Sequence, residues 1–66
     1  MKDLTPYQLR IVQLIARGGL NCTEISRHYK LRLDSVRNAA EVVLHKTDSR
    51  RIAQAVYKLM KAGKLD

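Results

Sequence analysis

The 66-residue chain contains no tryptophan and no phenylalanine, three glycines, one proline and one cysteine. That is little material for a buried catalytic cleft. The single cysteine, Cys22, excludes an intramolecular disulfide and fits a reducing compartment, so a cytoplasmic protein is expected. No apolar run approaches the ~20 residues of a membrane-spanning helix, and no secretory signal pattern opens the chain. No segment alternates polar and apolar residues with period two, which argues against a sheet. Paired carboxylates, a nucleophile with its base and a phosphate-cradling loop are all missing, so no enzyme and no cofactor are expected. Cys22 has no second cysteine to share a metal, and His28 and His45 lie too far apart for local metal-ligand spacing. Acidic side chains are scarce too. Six Asp and Glu face 13 Lys and Arg, a formal charge of +7. Such a balance points to a polyanionic partner, most often nucleic acid. A membrane fits less well, because no helix joins a continuous basic face to bulky aromatic residues.

What is present is helical punctuation. Residues 1–66 make one domain, and a chain this short buries only roughly 60% of the surface its unfolded form exposes. Its stability is therefore modest, and dimerisation or a ligand would add to it. Four helices can be read. Thr5 is an N-cap residue, Pro6 suits the first helical position, and Gln8 completes a capping box; Leu4 can staple onto Leu9. Ile11, Leu14 and Ile15, with Val12 beside them, form a broad apolar face that ends at Gly18-Gly19. A short second helix starts at Asn21, with Glu24 closing another capping box and Ile25 and Tyr29 facing inward. Lys30-Leu31-Arg32 is the break, with Leu31 plugging the core.

The third helix runs from about Leu33 to Lys46. Its apolar residues Val36, Ala39, Ala40, Val43 and Leu44 share one face. The other face carries Asp34, Ser35, Arg37, Asn38, Glu41 and His45. Its start is poorly marked, since Arg32 is not a capping residue. Thr47-Asp48-Ser49 is turn and cap chemistry, leading into a fourth helix striped by Ile52, Ala55, Val56, Leu59 and Met60 and stopped by Gly63. Lys58 and Lys61 lie toward the end of that helix, where cations suit its dipole. The expected architecture is an all-α, compact four-helix domain. Its second and third helices, about eight residues, a three-residue break and a longer helix, have the layout of a helix-turn-helix.

Four stretches carry a more specific likeness. These are "LTPYQLRIVQLIARG", "EIS" at Glu24 to Ser26, "SVRN" at Ser35 to Asn38, and "AQAVYKLMKAG". In this order and spacing, from about Leu4 to Leu65, the chain resembles the LuxR-type (GerE-type) helix-turn-helix domain of bacterial transcription regulators. The resemblance implies a four-helix DNA-binding domain whose third helix reads the major groove and whose fourth often mediates dimerisation. Ser35 and Arg37 match family positions that contact DNA. Val36 matches one at the helix–DNA boundary, and Asn38 a polar position beside them. Arg37 stands where the family has Lys, which keeps the charge and adds a bidentate fork. The chain departs from the family in an extra residue at Gly18-Gly19, in Ala39 where His is usual, and in Leu33-Asp34 at the start of the third helix.

The resulting expectation is a bacterial transcription regulator binding promoter DNA by occupancy, as a homodimer through the fourth helix. Lys30 and Arg32 before the third helix, and His45, Lys46, Arg50 and Arg51 after it, would hold phosphates. Arg37 would read guanine, Asn38 adenine, and Asp34 a cytosine amino group. Ile52, Val56, Tyr57 and Met60 would form the dimer or partner interface. The competing reading keeps the fold but makes it a protein-interaction module, an antiactivator or coregulator holding another transcription factor or an RNA polymerase subunit. A related DNA-binding alternative, the C-terminal region of a sigma factor, is disfavoured by the Ala-Val stripe of the fourth helix. Because the chain starts at Met1 with no receiver or ligand-binding domain ahead of the module, we expect a standalone member or the DNA-binding part of a longer regulator. A standalone form would be controlled by its amount or by a partner.

Overall fold

A computed structural model describes residues 3–65. They form four helices in the expected order: α1 (Pro6–Gly18), α2 (Cys22–Tyr29), α3 (Leu33–Lys46) and α4 (Ile52–Lys61). Among the described residues there is no strand. No helix is long and apolar enough to cross a membrane.

Local chemistry sets the first two helices. Thr5 Oγ1 accepts from the Gln8 N–H at 3.2 Å while Gln8 Oε1 accepts from the Thr5 N–H at 3.0 Å. Asn21 and Glu24 repeat the arrangement at 2.8 and 3.1 Å. Each box satisfies two backbone donors that a helix N-terminus otherwise leaves orphaned. Gly19 closes α1 in the left-handed region (φ 65°), where a residue without Cβ meets no penalty. At the end of α2 that same conformation falls to a lysine, Lys30 (φ 55°). The tight turn that follows is pinned by Ser26, whose hydroxyl donates to the Leu31 carbonyl at 2.9 Å.

The other two starts are weaker. Arg32 precedes α3 with no side-chain cap, as its identity led us to expect. The expected capping role of Thr47-Asp48-Ser49 for α4 is not what the backbone shows. The residue before α4 is Arg51, and Gln54 Oε1 reaches back to accept from the Arg50 and Arg51 N–H groups at 2.8 and 3.3 Å. Thr47 instead ends α3. It is buried, and its hydroxyl donates to the Val43 carbonyl at 2.8 Å.

α1 and α3 make the most extensive helix pair and share two apolar clusters between them. Ile11 of α1 joins Ile25 of α2 with Val36 and Ala39 of α3; Val12 joins Val43 with Ala55 and Leu59 of α4 and Leu65. The first half of α3 thus packs against α2 and the second half against α4. Small residues at Ala39, Ala40 and Ala55 let the helices approach. Leu4 and Leu9 both pack on the second cluster, as a hydrophobic staple requires. Tyr29 does not face inward as its spacing from Ile25 implied: it is 40% exposed and meets His28 edge to face at 4.9 Å. It is the last residue of α2, where the chain already turns away. The end of the cluster is filled by Leu31 from the turn.

Candidate nucleic-acid interface

With one face of α3 committed to both clusters, its opposite face looks outward. Asp34, Ser35, Arg37, Asn38, Glu41 and His45 are all exposed. Among the described residues none of these six side chains makes an intramolecular hydrogen bond or ion pair. Yet Asp34 and Arg37 are three residues apart and Arg37 and Glu41 four, spacings at which opposite charges meet on a helix. The row is polar, ionised and unpartnered. Cations bracket it: Lys30 and Arg32 are exposed in the turn before α3, and Arg50 and Arg51 are exposed after it. The 14 residues of α3 separate the two groups by about 20 Å along its axis.

Two expected members of this face lie elsewhere. Val36 is fully buried in the α1–α2–α3 cluster and offers nothing to a partner. Its place on the apolar stripe decides this, whatever position it matches in a family. Lys46 is half-buried, and its ammonium donates to Gln8 Oε1 at 2.9 Å and to the Asp3 carbonyl at 3.1 Å. It ties the end of α3 to the start of α1 instead of standing out toward a phosphate. His45 remains exposed, but beside it Glu41, Leu44, Asp48 and Ser49 line an open hollow of about 410 Å³ with two carboxylates. The exposed cations at this end of α3 are Arg50 and Arg51.

On α4, Val56 packs on the core and Ile52 is half-buried, so these two contribute only edges to an outer surface. Tyr57 and Met60 are 61% and 53% exposed, and Lys61 Nζ lies 5.3 Å from the Tyr57 ring centroid. They make an apolar strip on the side of α4 away from the core. Tyr7 is also exposed, at 41%, near the start of α1. Cys22 is half-buried against the α1–α2–α3 cluster, and His28 is exposed. Among the described residues no group of three or more His, Cys, Asp or Glu side chains gathers closely enough to hold a metal ion.

Glu41 belongs to the outward row although it had no assigned role in reading DNA. The signal was its spacing, two helical turns after Asp34 on the same face. No protein-family model matches the chain, and no curated protein or solved structure matches it either.

Proposed function

We propose that this chain is a cytoplasmic transcription regulator that binds double-stranded DNA, with α2 and α3 acting as a helix-turn-helix and α3 reading the major groove. One observation carries the reading: a row of exposed, unpartnered polar side chains on α3, bracketed by exposed cations at both ends. Hydrogen-bonding groups without internal partners suit base edges, and Arg and Lys on either side suit the two phosphate ridges that border a groove. Arg37 and Asn38 supply the forks that match guanine and adenine. Lys30, Arg32, Arg50 and Arg51 supply sequence-independent attraction. The likeness of "LTPYQ", "EIS" and "SVRN" to a LuxR-type domain supports the same reading. The mechanism is occupancy: the bound domain recruits polymerase or blocks it.

The test is a fluorescence-anisotropy titration of a promoter pool and a random duplex at about 50 and 200 mM salt, a range over which phosphate contacts weaken steeply. Arg37→Ala should cost ~1–3 kcal/mol on preferred sites and relax one base position, and Arg50→Ala should lower the salt slope by about 1. Lys46→Gln should lower stability and leave the slope alone, because its ammonium is held internally. Absence of salt-dependent duplex binding by the unmodified chain sinks the proposal.

The second reading, an antiactivator or coregulator that holds another transcription factor or an RNA polymerase subunit, is favoured by one feature, the exposed Tyr57 and Met60 on α4. In the DNA-binding reading this strip serves a homodimer instead. Aromatic and Met side chains are enriched in protein interfaces of either kind.

A further inference from the structure

The charge of α3 runs against the charge of the molecule. The chain carries +7, yet its outward α3 row holds Asp34 and Glu41 against the single cation Arg37. With His45 neutral the row is net negative. Its two carboxylates are seven residues apart, about 10 Å along one side of the helix. Asp34 sits in the first turn of α3, where a carboxylate also suits the helix dipole. Glu41 has no such reason to be there. It lies in mid-helix, exposed, and pairs with neither Arg37 nor His45 on the neighbouring turns. A carboxylate in this place weakens attraction to any polyanion.

We propose that Asp34 and Glu41 are specificity-determining residues. They make tight duplex binding conditional on an exocyclic amino group, of cytosine or adenine, at the position each one faces. This rests on the duplex-reading function proposed above. An ionised carboxylate accepts hydrogen bonds and donates none. In the major groove cytosine offers its N4 amino group and adenine its N6, whereas guanine offers N7 and O6 and thymine O4, all acceptors. On the strand it faces, each carboxylate therefore gains a partner at cytosine or adenine and meets repulsion at guanine or thymine. When α3 lies over phosphates in some other register, both carboxylates repel the backbone. The flanking cations Lys30, Arg32, Arg50 and Arg51 hold the domain on DNA of any sequence, and the two carboxylates subtract from every mode except the matching one. Discrimination comes from penalising wrong partners as much as from rewarding the right one. The 10 Å between them corresponds to about three base-pair rises.

The test uses the full chain with Asp34→Asn, Glu41→Gln and the double variant. Sites are first selected from a randomised duplex pool with the unmodified protein, and affinities for selected and random duplexes are then measured by anisotropy. The selected sites should show cytosine or adenine at two positions about three base pairs apart. Each variant should bind random duplex roughly fivefold tighter or more, and the ratio of selected to random affinity should fall about tenfold, within the range of a single lost base preference. Glu41→Gln lies away from the helix N-terminus, so its result is independent of the dipole at Asp34. An unchanged unfolding midpoint for Glu41→Gln confirms that folding is not the cause of its effect. If the unmodified protein binds duplexes selectively but Glu41→Gln changes neither random affinity nor the ratio, this inference is overturned and the DNA-reading function stands. If the unmodified protein binds no duplex, both fall.

Discussion

The ammonium of Lys58, on α4, donates to the main-chain carbonyl of Asp48 at 2.6 Å and to that of Thr47 at 2.9 Å. A lysine near the end of one helix thus serves the C-terminus of another. The carbonyls it binds close α3, the negative end of that helix, and Asp48 stands in the left-handed region with φ 51°. Lys58→Met keeps the aliphatic stem and removes the donor. We predict a loss of about 1–2 kcal/mol, from charge-assisted bonds that are partly open to water. Urea denaturation should show it as a lower midpoint with an unchanged slope.

Lys30 gives a prediction with two opposite signs. Its φ of 55° is one that a residue with a Cβ adopts at a cost and glycine adopts freely. The homologous stop on α1 is Gly19. Lys30→Gly should therefore raise stability by about 0.5–1 kcal/mol, the relief at the cap being partly offset by the more flexible unfolded chain. The same change removes an exposed cation beside the start of α3 and should weaken duplex binding and lower its salt slope by about 1. Thermal unfolding and anisotropy on one protein sample read both effects. A loss of duplex affinity alongside a gain in stability would assign Lys30 a phosphate contact that offsets the strain of its backbone.

The parts of this fold that were legible in the sequence are those governed by neighbours a few residues apart. The two capping boxes, the glycine stop of α1 and the apolar stripe of α3 each follow from spacing alone, and all stand in the structure. Side chains whose partners lie far along the chain were not legible. Lys46 reads as one more cation beside α3, but its acceptors are 38 and 43 residues away. Lys58 reads as support for its own helix end and serves α3 instead. Tyr29 shows that period without position misleads, since the last residue of a helix has the right angle and no core left to enter. Leu65 shows the reverse, a buried residue with no period to announce it. Of the candidate interface, the exposed row on α3 follows from the stripe opposite it. The exclusion of Val36 follows from its own place on that stripe, whereas the exclusion of Lys46 required the packing.

Acid should weaken one link between the ends of the chain. Lys64 Nζ pairs with the Asp3 carboxylate, and that hydrogen bond, followed by the charge of the same ammonium, holds Asp3 below its ordinary value of 3.8. The folded state therefore binds fewer protons than the unfolded state in that region. The pairing contributes in full above the unfolded value and fades as pH falls through the lower folded one. The carboxylate is largely in water, with 90% of its side chain accessible, so the effect is small and screened by salt. Asp3→Asn should denature at lower urea than the unmodified chain at roughly pH 6, and the gap should close by roughly pH 2.

Salt separates the two surfaces proposed for this molecule. From Ser49 to Leu65 the chain has no acidic residue and five cations, Arg50, Arg51, Lys58, Lys61 and Lys64. Lys58 and Lys64 are engaged within the molecule, which leaves Arg50, Arg51 and Lys61, of which Arg51 and Lys61 flank the exposed Tyr57–Met60 strip at its two ends. In an antiparallel pair of α4 helices, Arg51 of one copy approaches Lys61 of the other, and the apolar contact forms against like-charge repulsion. Screening reduces that repulsion, so self-association through α4 should strengthen as salt rises. Duplex binding through the α3 row should weaken over the same range. Sedimentation equilibrium at about 50 and 500 mM salt, a span over which the screening length falls well below the length of α4, reads the first, and Tyr57→Asp should abolish association at both. Association that instead weakens with salt argues against an α4 pair. It favours an acidic partner for this strip, for which the surrounding cations are an attraction.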